Sequence, residues 1–425
     1  MVKHTEQMKV LVYTTLFPNH LQPNLGIFIK NRMFHFAKLD GCEIKVIAPV
    51  PYCPPWRFLG KRYQQSQIKK FEVMDGIEVY HPRFPLIPKL SMPVHGLSLF
   101  LSSLNLVKRI HQDFPFDIID GHYVYPDGFA AVLLGKALKK PVVLSARGSD
   151  INQFIGFRTI KPIIRHALEH ADRVISVCDA LKREMVKLGI NSHKITVIPN
   201  GVDTQKFFPE QRSIARKTLS LPNHNQIILS VGTLIPRKGF HVLLDAMPII
   251  LKEIPQTHLY LVGEGAYRSY IEQKIAQMSL NRHVTLVGER PNSELRIWYS
   301  AADVFCLASS REGWANVIME SLACGTPVVA TNVWGAPEIL TSPDFGILVE
   351  RNPESIAAGL IEALNRQLDR NQIREHIAEQ TWDLVAREVH AIFGSCLRSY
   401  EDGNPDTRHS NSLCCADGCR QLKNQ

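Results

Sequence analysis

The stretch DVFCLASSREGWANVIMESLACGTPVVAT, residues 303–331, reads as strand, loop, helix and strand. Its two flanking runs, DVFCLAS and TPVVAT, are short and almost continuously apolar, as strands covered on both faces are. ANVIMESLAC between them reads as a helix. A strand–helix–strand unit of this length joins parallel strands. Glu312 falls at the strand-to-helix turn and Glu320 inside the helix. Helical positions advance ~1.5 Å each, so the two carboxylates stand ~12 Å apart along the axis. They are either the two ends of one ligand grip, or a capping glutamate followed by a solvated one.

Working outward, the same pattern fills the chain. KVLVYTT, EIKVIAPV, FDIIDGHY, PVVLSAR, DRVISVC and KITVIPN are strand candidates in the first half. QIILSVG, HLYLVG, HVTLVG, DVFCLAS, TPVVAT and GILVE follow in the second. FEVMDGIEVYHPRFP, with Asp75-Gly76 between extended runs, predicts a hairpin. The pattern restarts after NGVDTQKFFPEQRSIARK. It predicts an α/β chain of two Rossmann-like, doubly wound domains over residues 1–205 and 206–380, a terminal helix over 381–400, and a tail over 401–425 without periodicity, expected to be disordered. In such sheets ligands bind beyond the carboxyl ends of the strands.

The 425 residues are 45% hydrophobic and 21% charged, a globular composition. No run approaches the ~18–20 apolar residues of a membrane span. MKVLVYTTLF lacks a small-residue cleavage site and reads as a first strand, so a cytoplasmic protein is expected. Cys42, Cys53, Cys178, Cys306, Cys324 and Cys396 are scattered, which argues against a disulfide framework. Cys414, Cys415 and Cys419 cluster in the tail, one ligand short of a closed zinc site. Residues 1–205 carry 27 Lys and Arg against 16 Asp and Glu, or +11, and the remainder carries 22 against 24, or −2. A basic half suits an anionic partner. No nucleic-acid module is present, and PPWRFLGKRYQQSQIKKF mixes aromatic and basic residues as membrane-surface segments do. A solvated basic face is the plainer reading of the same segment.

The opening stretch also carries chemistry. The helix start between Glu312 and Glu320 offers unpaired N–H groups and a positive dipole end to phosphates. Carboxylates accept strong hydrogen bonds from sugar hydroxyls. Gly313 lets the backbone approach a ligand.

EGWANVIMESLACGTPVVAT…GAPEIL resembles the signature of retaining glycosyltransferases of family 4, and in particular bacterial polysaccharide and teichuronic-acid-type sugar transferases. The E-x7-E, the small-residue helix, the G-x-PV strand and the later PE fall on Glu312, Glu320, Gly325, Pro327 and Glu338. SVGTLIPRKGF resembles the family's phosphate-binding loop, with Lys238 and Gly239 on its KG. Thr233 stands where the family usually has Arg, and Arg237 is placed to compensate. VIPNGVDTQKF matches the start of the interdomain linker, and LVGEGAYRSYIE a helix start in the second domain. In the first half, TTLFPNHLQPNLGIFIKNR carries Gly26, and IIDGHYVYPDG carries His122 just past a strand. VVLSARGSDIN has Arg147 where many relatives have His, while Asp150 matches. The resemblance spans about residues 8–398.

The resemblance implies the GT-B fold, two Rossmann-like domains facing across a cleft with the final helix crossing back to the first. It implies a retaining transfer from a nucleotide-diphosphate sugar, with a UDP-sugar favoured and a GDP-sugar the alternative. Glu320 would bind ribose, Glu312 the donor sugar, and Lys238 and Arg237 the diphosphate. Gly26, Thr233, Gly313, Trp314, Ala315, Asn316 and Val317 would line the donor. His122 would face the sugar, and Arg147 and Asp150 would belong to an acceptor or site loop. No cofactor and no metal are expected, since the chain contains no D-x-D. Retention proceeds by double displacement or by front-face attack, and the family favours the second. The acceptor stays open; the basic first half and its aromatic-basic segment make a polyprenyl-diphosphate-linked glycan in exopolysaccharide, capsule or lipopolysaccharide assembly, at the inner face of an anionic membrane, the leading expectation. The alternatives are a soluble acceptor, a nucleotide-sugar-binding relative without turnover, a sugar-nucleotide epimerase, and a nucleic-acid-binding protein.

Overall fold

Every strand candidate of the second half forms a strand. These are β11 Gln226–Val231, β12 Thr257–Val262, β13 Val284–Gly288, β14 Val304–Leu307, β15 Val328–Thr331 and β16 Gly346–Val349. The first half gives β1 Met8–Tyr13, β2 Cys42–Ile47, β3 Val50–Pro51, β4 Phe71–Met74, β5 Ile77–Tyr80, β6 Arg83–Phe84, β7 Ile118–His122, β8 Val142–Ala146, β9 Arg173–Ser176 and β10 Ile195–Val197. This computed structural model describes residues 7–56, 61–86, 92–366 and 368–403, leaving out the side chains of Lys61 and Arg62. Arg57, the side chains of Lys61 and Arg62, the tail from 404 onward and Cys414, Cys415 and Cys419 therefore lie outside the described residues.

The chain divides into two units. One holds residues through Ser176, Lys182–Ile198 and the chain from Arg387. The other holds Val177–Leu181 and Pro199–Ala386. The main division falls at Ile198/Pro199, a few residues before the expected 205/206. The second falls at Ala386/Arg387 inside the helix Trp382–Glu401, where 380/381 was expected.

The first unit's sheet runs β10-β9-β8-β7-β1-β2-β5-β4. Its pairs are parallel except β4 with β5, the hairpin turned at Asp75-Gly76. β3 and β6 pair separately. From the terminal helix, Phe393 packs its ring 5.3 Å from that of Phe36, within this unit.

The second unit's sheet runs β13-β12-β11-β14-β15-β16 and is wholly parallel. Alternation along β11 explains its two-sided burial. Ile227, Leu229 and Val231 enter one apolar cluster and Ile228 the other. Each such side chain, taken fully from water, contributes about 1.5–3 kcal/mol. The order reverses direction between β11 and β14, and in the first unit between β1 and β7. Loops leaving the carboxyl ends of those strand pairs diverge and leave a crevice. Among the described residues, no helix is long and apolar enough to cross a membrane, and the six cysteines are buried and form no disulfide.

Candidate functional site

In the second unit, the loops after β11 and β14 meet at the reversal point. Gly239 makes this possible. Its φ is +74°, and a Cβ there would lie 1.8 Å from the Ala308 carbonyl oxygen. Only glycine lets the first loop lie against the end of β14. The turn Pro236–Lys238 just before it delivers Lys238 Nζ to 2.7 Å from Glu312 Oε1. Ser309 Oγ donates to the same oxygen at 2.6 Å. Arg237 Nη1 stands 3.5 Å from Oε2 and donates to the Arg311 carbonyl at 2.8 Å. Burial works to raise the Glu312 carboxyl, but Lys238 and Arg237 outweigh it and hold it below the ordinary range.

The helix Asn316–Ala323 begins directly beyond. Its N-cap is Ala315, which has no side-chain oxygen to cap the first turn. No side chain of the protein caps its first N–H groups. Gly313 and Ala315 are buried, Val317 packs on the core, and Asn316 Oδ1 accepts from Asn200 Nδ2 at 3.0 Å. Trp314 packs on the same core, and its buried Nε1 has no hydrogen-bond partner.

Glu320 lies one turn into the helix. Tyr299 donates its hydroxyl to Oε2 at 2.9 Å, and Asn292 Nδ2 lies 3.4 Å from Oε1. Burial pushes the carboxyl up to about 7, against the hydrogen bonds of Tyr299 and Asn292 and the charge of Lys206. Thr233, in place of the usual Arg, is exposed. Lys238, Arg237, Glu312 and the helix start are therefore brought together, while Thr233 adds no charge to them.

The first unit has its own cluster at the β1/β7 reversal. Asp120 on β7 is fully buried and receives Arg32 Nη2 at 2.7 and 3.0 Å. His122, two residues on and equally buried, places Nε2 2.9 Å from Asp120 Oδ2, angled away from a straight hydrogen bond. Arg147 Nη2 donates to His122 Nδ1 at 2.7 Å. The Arg147 guanidinium also lies over the Phe28 ring, 5.5 Å from its centroid. Burial, opposed by Asp120 and reinforced by Arg32 and Arg147, pushes the His122 imidazole down to about 3. The ring is neutral at pH 7, with its proton on Nε2. Burial also works to raise Asp120, but Arg32 and His122 outweigh it and hold it well below the carboxylate range. Both ring nitrogens of His122 thus face protein groups.

Asp150 accepts from the backbone N–H groups of Val124, Arg147 and Gly148, fixing the loops after β7 and β8. Asp127, absent from the sequence reading, accepts from Thr15 N and Thr15 Oγ1, both at 3.0 Å, and fixes the loop after β1. Gly26 opens the helix Ile27–Phe36 at φ +62°, where a Cβ would lie 2.1 Å from the Leu16 carbonyl oxygen. The approach that demands glycine there is to the loop's own backbone. Other residues missed by sequence were Ser309, Tyr299, Asn292, Arg32 and Asp120. Asp120 alone had a local signal, a carboxylate two places before a strand-end histidine. Among the described residues, no group of three or more His, Cys, Asp or Glu is gathered to hold a metal.

Comparison with known proteins agrees with this architecture. Residues 35–206 match the model of Glycosyltransferase Family 4, and residues 211–380 that of Glycosyl transferases group 1. The putative teichuronic acid biosynthesis glycosyltransferase TuaC of Bacillus subtilis is 28% identical over 381 residues, covering 88% of this chain and 93% of that protein. Among solved structures, sucrose-phosphate synthase from Thermosynechococcus elongatus aligns with a TM-score of 0.73 at 20% identity, over 94% of this chain and all of that one. Anabaena HepE in complex with UDP aligns at 0.68 and 19% identity, over 91% of this chain and all of that one. The chain belongs to the group 1 and family 4 glycosyltransferases and has their GT-B fold of two Rossmann-like domains.

Proposed function

We propose that the chain is a retaining glycosyltransferase of cell-surface polysaccharide biosynthesis. It moves a sugar from a nucleoside-diphosphate sugar to a lipid-linked glycan, with a UDP-sugar as favoured donor and a GDP-sugar as the alternative. The carrying observation is the Lys238–Glu312 pair at the β11/β14 reversal, directly ahead of an uncapped helix start. An ammonium group and unpaired N–H groups are what a departing diphosphate needs, so charge growing on it is offset without a bridging metal. Glu320 accepts the ribose hydroxyls and Glu312 those of the sugar. The titles of HepE structures with UDP and glucose, and the name of TuaC, support the donor and pathway class.

Glu312 is committed to Lys238 and Ser309, which makes its carboxylate a poor nucleophile and supports front-face attack. The bond between the anomeric carbon and the diphosphate oxygen breaks. The acceptor oxygen bonds to the same face, and its proton passes to the departing diphosphate oxygen. His122 is neutral and accepts from Arg147 at Nδ1, so its role is to position Arg147, and Asp150 holds the Arg147 loop.

The lipid-linked acceptor and an anionic membrane surface rest on the +11 balance of residues 1–205. Exposed Tyr52, Trp56, Lys69 and Lys70 in the same region support them. Exposed Thr233 favours one second reading, donor binding without turnover. Incubation with a UDP- or GDP-sugar and a polyprenyl-diphosphate-linked saccharide, with the product's anomeric configuration read by NMR, tests the proposal. An α-donor should give an α-product. An inverted product overturns the mechanism, transfer only to soluble saccharides overturns the lipid acceptor, and binding without product establishes the second reading.

A further inference from the structure

The second unit has another cavity, at the edge of its sheet where strands begin and away from the loops after β11 and β14. Gln226 opens β11, Asp303 precedes β14 and Pro327 precedes β15, and all three line a space of about 420 Å³. Arg212, Arg216, Arg366 and Arg370 line it too, and among the described lining residues Asp303 is the one carboxylate. Both of its oxygens are engaged. Oδ1 holds Arg212 Nη1 at 2.7 Å, and Oδ2 holds Arg216 Nη2 at 2.6 Å and the Ile227 N–H at 2.7 Å.

Arg366, the residue just past the helix Pro353–Asn365, is neutralised by Glu362, four positions back. Arg216 gives its other N–H groups to the carbonyls of Ala301, Asn223 and Asn225. Arg370 donates to those of Ser300 and Ala302. Carbonyls satisfy hydrogen bonds but carry no net charge. Three guanidiniums therefore share one carboxylate, a local excess of +2. Burial chiefly, and then the nearby charge of Arg212, pushes Arg370 down to about 10, with Asp303 opposing.

We propose that this cavity binds a phosphate-bearing small anion, seated by Arg212 and Arg370 and bordered by Asn223, Asn225 and Gln226. A phosphate dianion matches the excess charge, and guanidinium forks match its oxygens. The volume lies in the range of small-ligand pockets, ~300–1,000 Å³, so a phosphate ester fits as well as free phosphate. The inference does not depend on the donor assignment.

The test is calorimetric titration of the full-length protein with inorganic phosphate, pyrophosphate and a hexose phosphate, for wild type and three variants. Binding should survive Lys238→Ala, which lies at the other edge of the sheet. It should weaken at least tenfold in Arg212→Met, whose side chain is nearly half exposed. Asn223→Asp, exposed and tied to the cavity only through its carbonyl, should weaken it similarly by adding negative charge without loss of fold. Tighter binding of the hexose phosphate identifies an ester as the ligand, and equal binding identifies free phosphate. Absence of binding to wild type at millimolar concentration overturns the proposal. So does binding lost in Lys238→Ala and kept in both cavity variants.

Discussion

Lys238 Nζ and Glu312 Oε1 stand 2.7 Å apart although 74 positions separate them in the chain. The pair closes the reversal point of the second sheet. It sets a cation where phosphate would sit and a carboxylate where sugar hydroxyls would. Both side chains are largely sheltered, so the attraction between them is weakly screened.

Glu312→Gln keeps the shape and removes the charge. Transfer should fall about 10²–10³-fold, equivalent to about 3–4 kcal/mol, while nucleoside diphosphate affinity changes little. A direct transfer assay beside calorimetry checks both. Near-normal turnover would remove Glu312 from the sugar.

Glu320 gives a pH signature. Its folded value of about 7 lies above the ordinary 4.5, so the folded state holds this proton more tightly than the unfolded one. Its contribution to stability therefore declines as pH rises from 4.5 through 7. Ribose hydroxyls bind best to the ionised form, so nucleotide affinity should increase across pH 6–8. Glu320→Gln should weaken binding by about 1–3 kcal/mol and flatten that slope. Calorimetry at three pH values reads both effects, and an unchanged slope in the variant would clear Glu320 of the role.

Much of this was legible in the sequence, for reasons that differ by element. The runs 303–309 and 326–331 are short, apolar and bounded, so their strands and the helix between them followed from pattern alone. The partners of Glu320 did not, because Tyr299 lies 21 positions away on another helix and no local spacing announces it. Arg32 reaches Asp120 across 88 positions, and a buried arginine has no signature distinguishing it from a surface one. His122 was visible as a strand-end histidine. That Arg147 takes its Nδ1 and Asp120 faces its Nε2 depends on tertiary packing, which alone brings them together.

Asp120→Asn should be costly to stability. It leaves the Arg32 guanidinium buried without its counter-charge, a loss of about 3–5 kcal/mol. Urea unfolding of wild type and variant measures it. A change under 1 kcal/mol would mean that water or another group replaces the carboxylate.

Residues 1–205 should bring the protein to anionic vesicles. Each Lys or Arg near such a surface contributes about 1 kcal/mol, screened within ~8 Å at physiological salt. Co-sedimentation should rise with acidic lipid and fall with added salt. Reversal of Arg57, Lys61, Arg62, Lys69 and Lys70 to Glu should abolish it and spare nucleotide binding. Wild-type protein left in the supernatant at low salt would make a soluble acceptor the better reading.

The most direct measurement is thermal stabilisation by UDP-, GDP- and ADP-sugars, with and without EDTA, for wild type and Lys238→Ala. A bound ligand raises the unfolding temperature by mass action. One nucleotide sugar, a UDP-sugar first, should raise that of the wild type in a saturable way with EDTA present. Lys238→Ala should lose most of the shift. If no nucleotide sugar shifts wild type at millimolar concentration, or if the shift is unchanged in Lys238→Ala, the donor does not bind at the Lys238–Glu312 pair. If the shift needs Mg²⁺ or Mn²⁺, a metal carries the diphosphate, and the part of the mechanism built on Lys238 and the helix start is wrong.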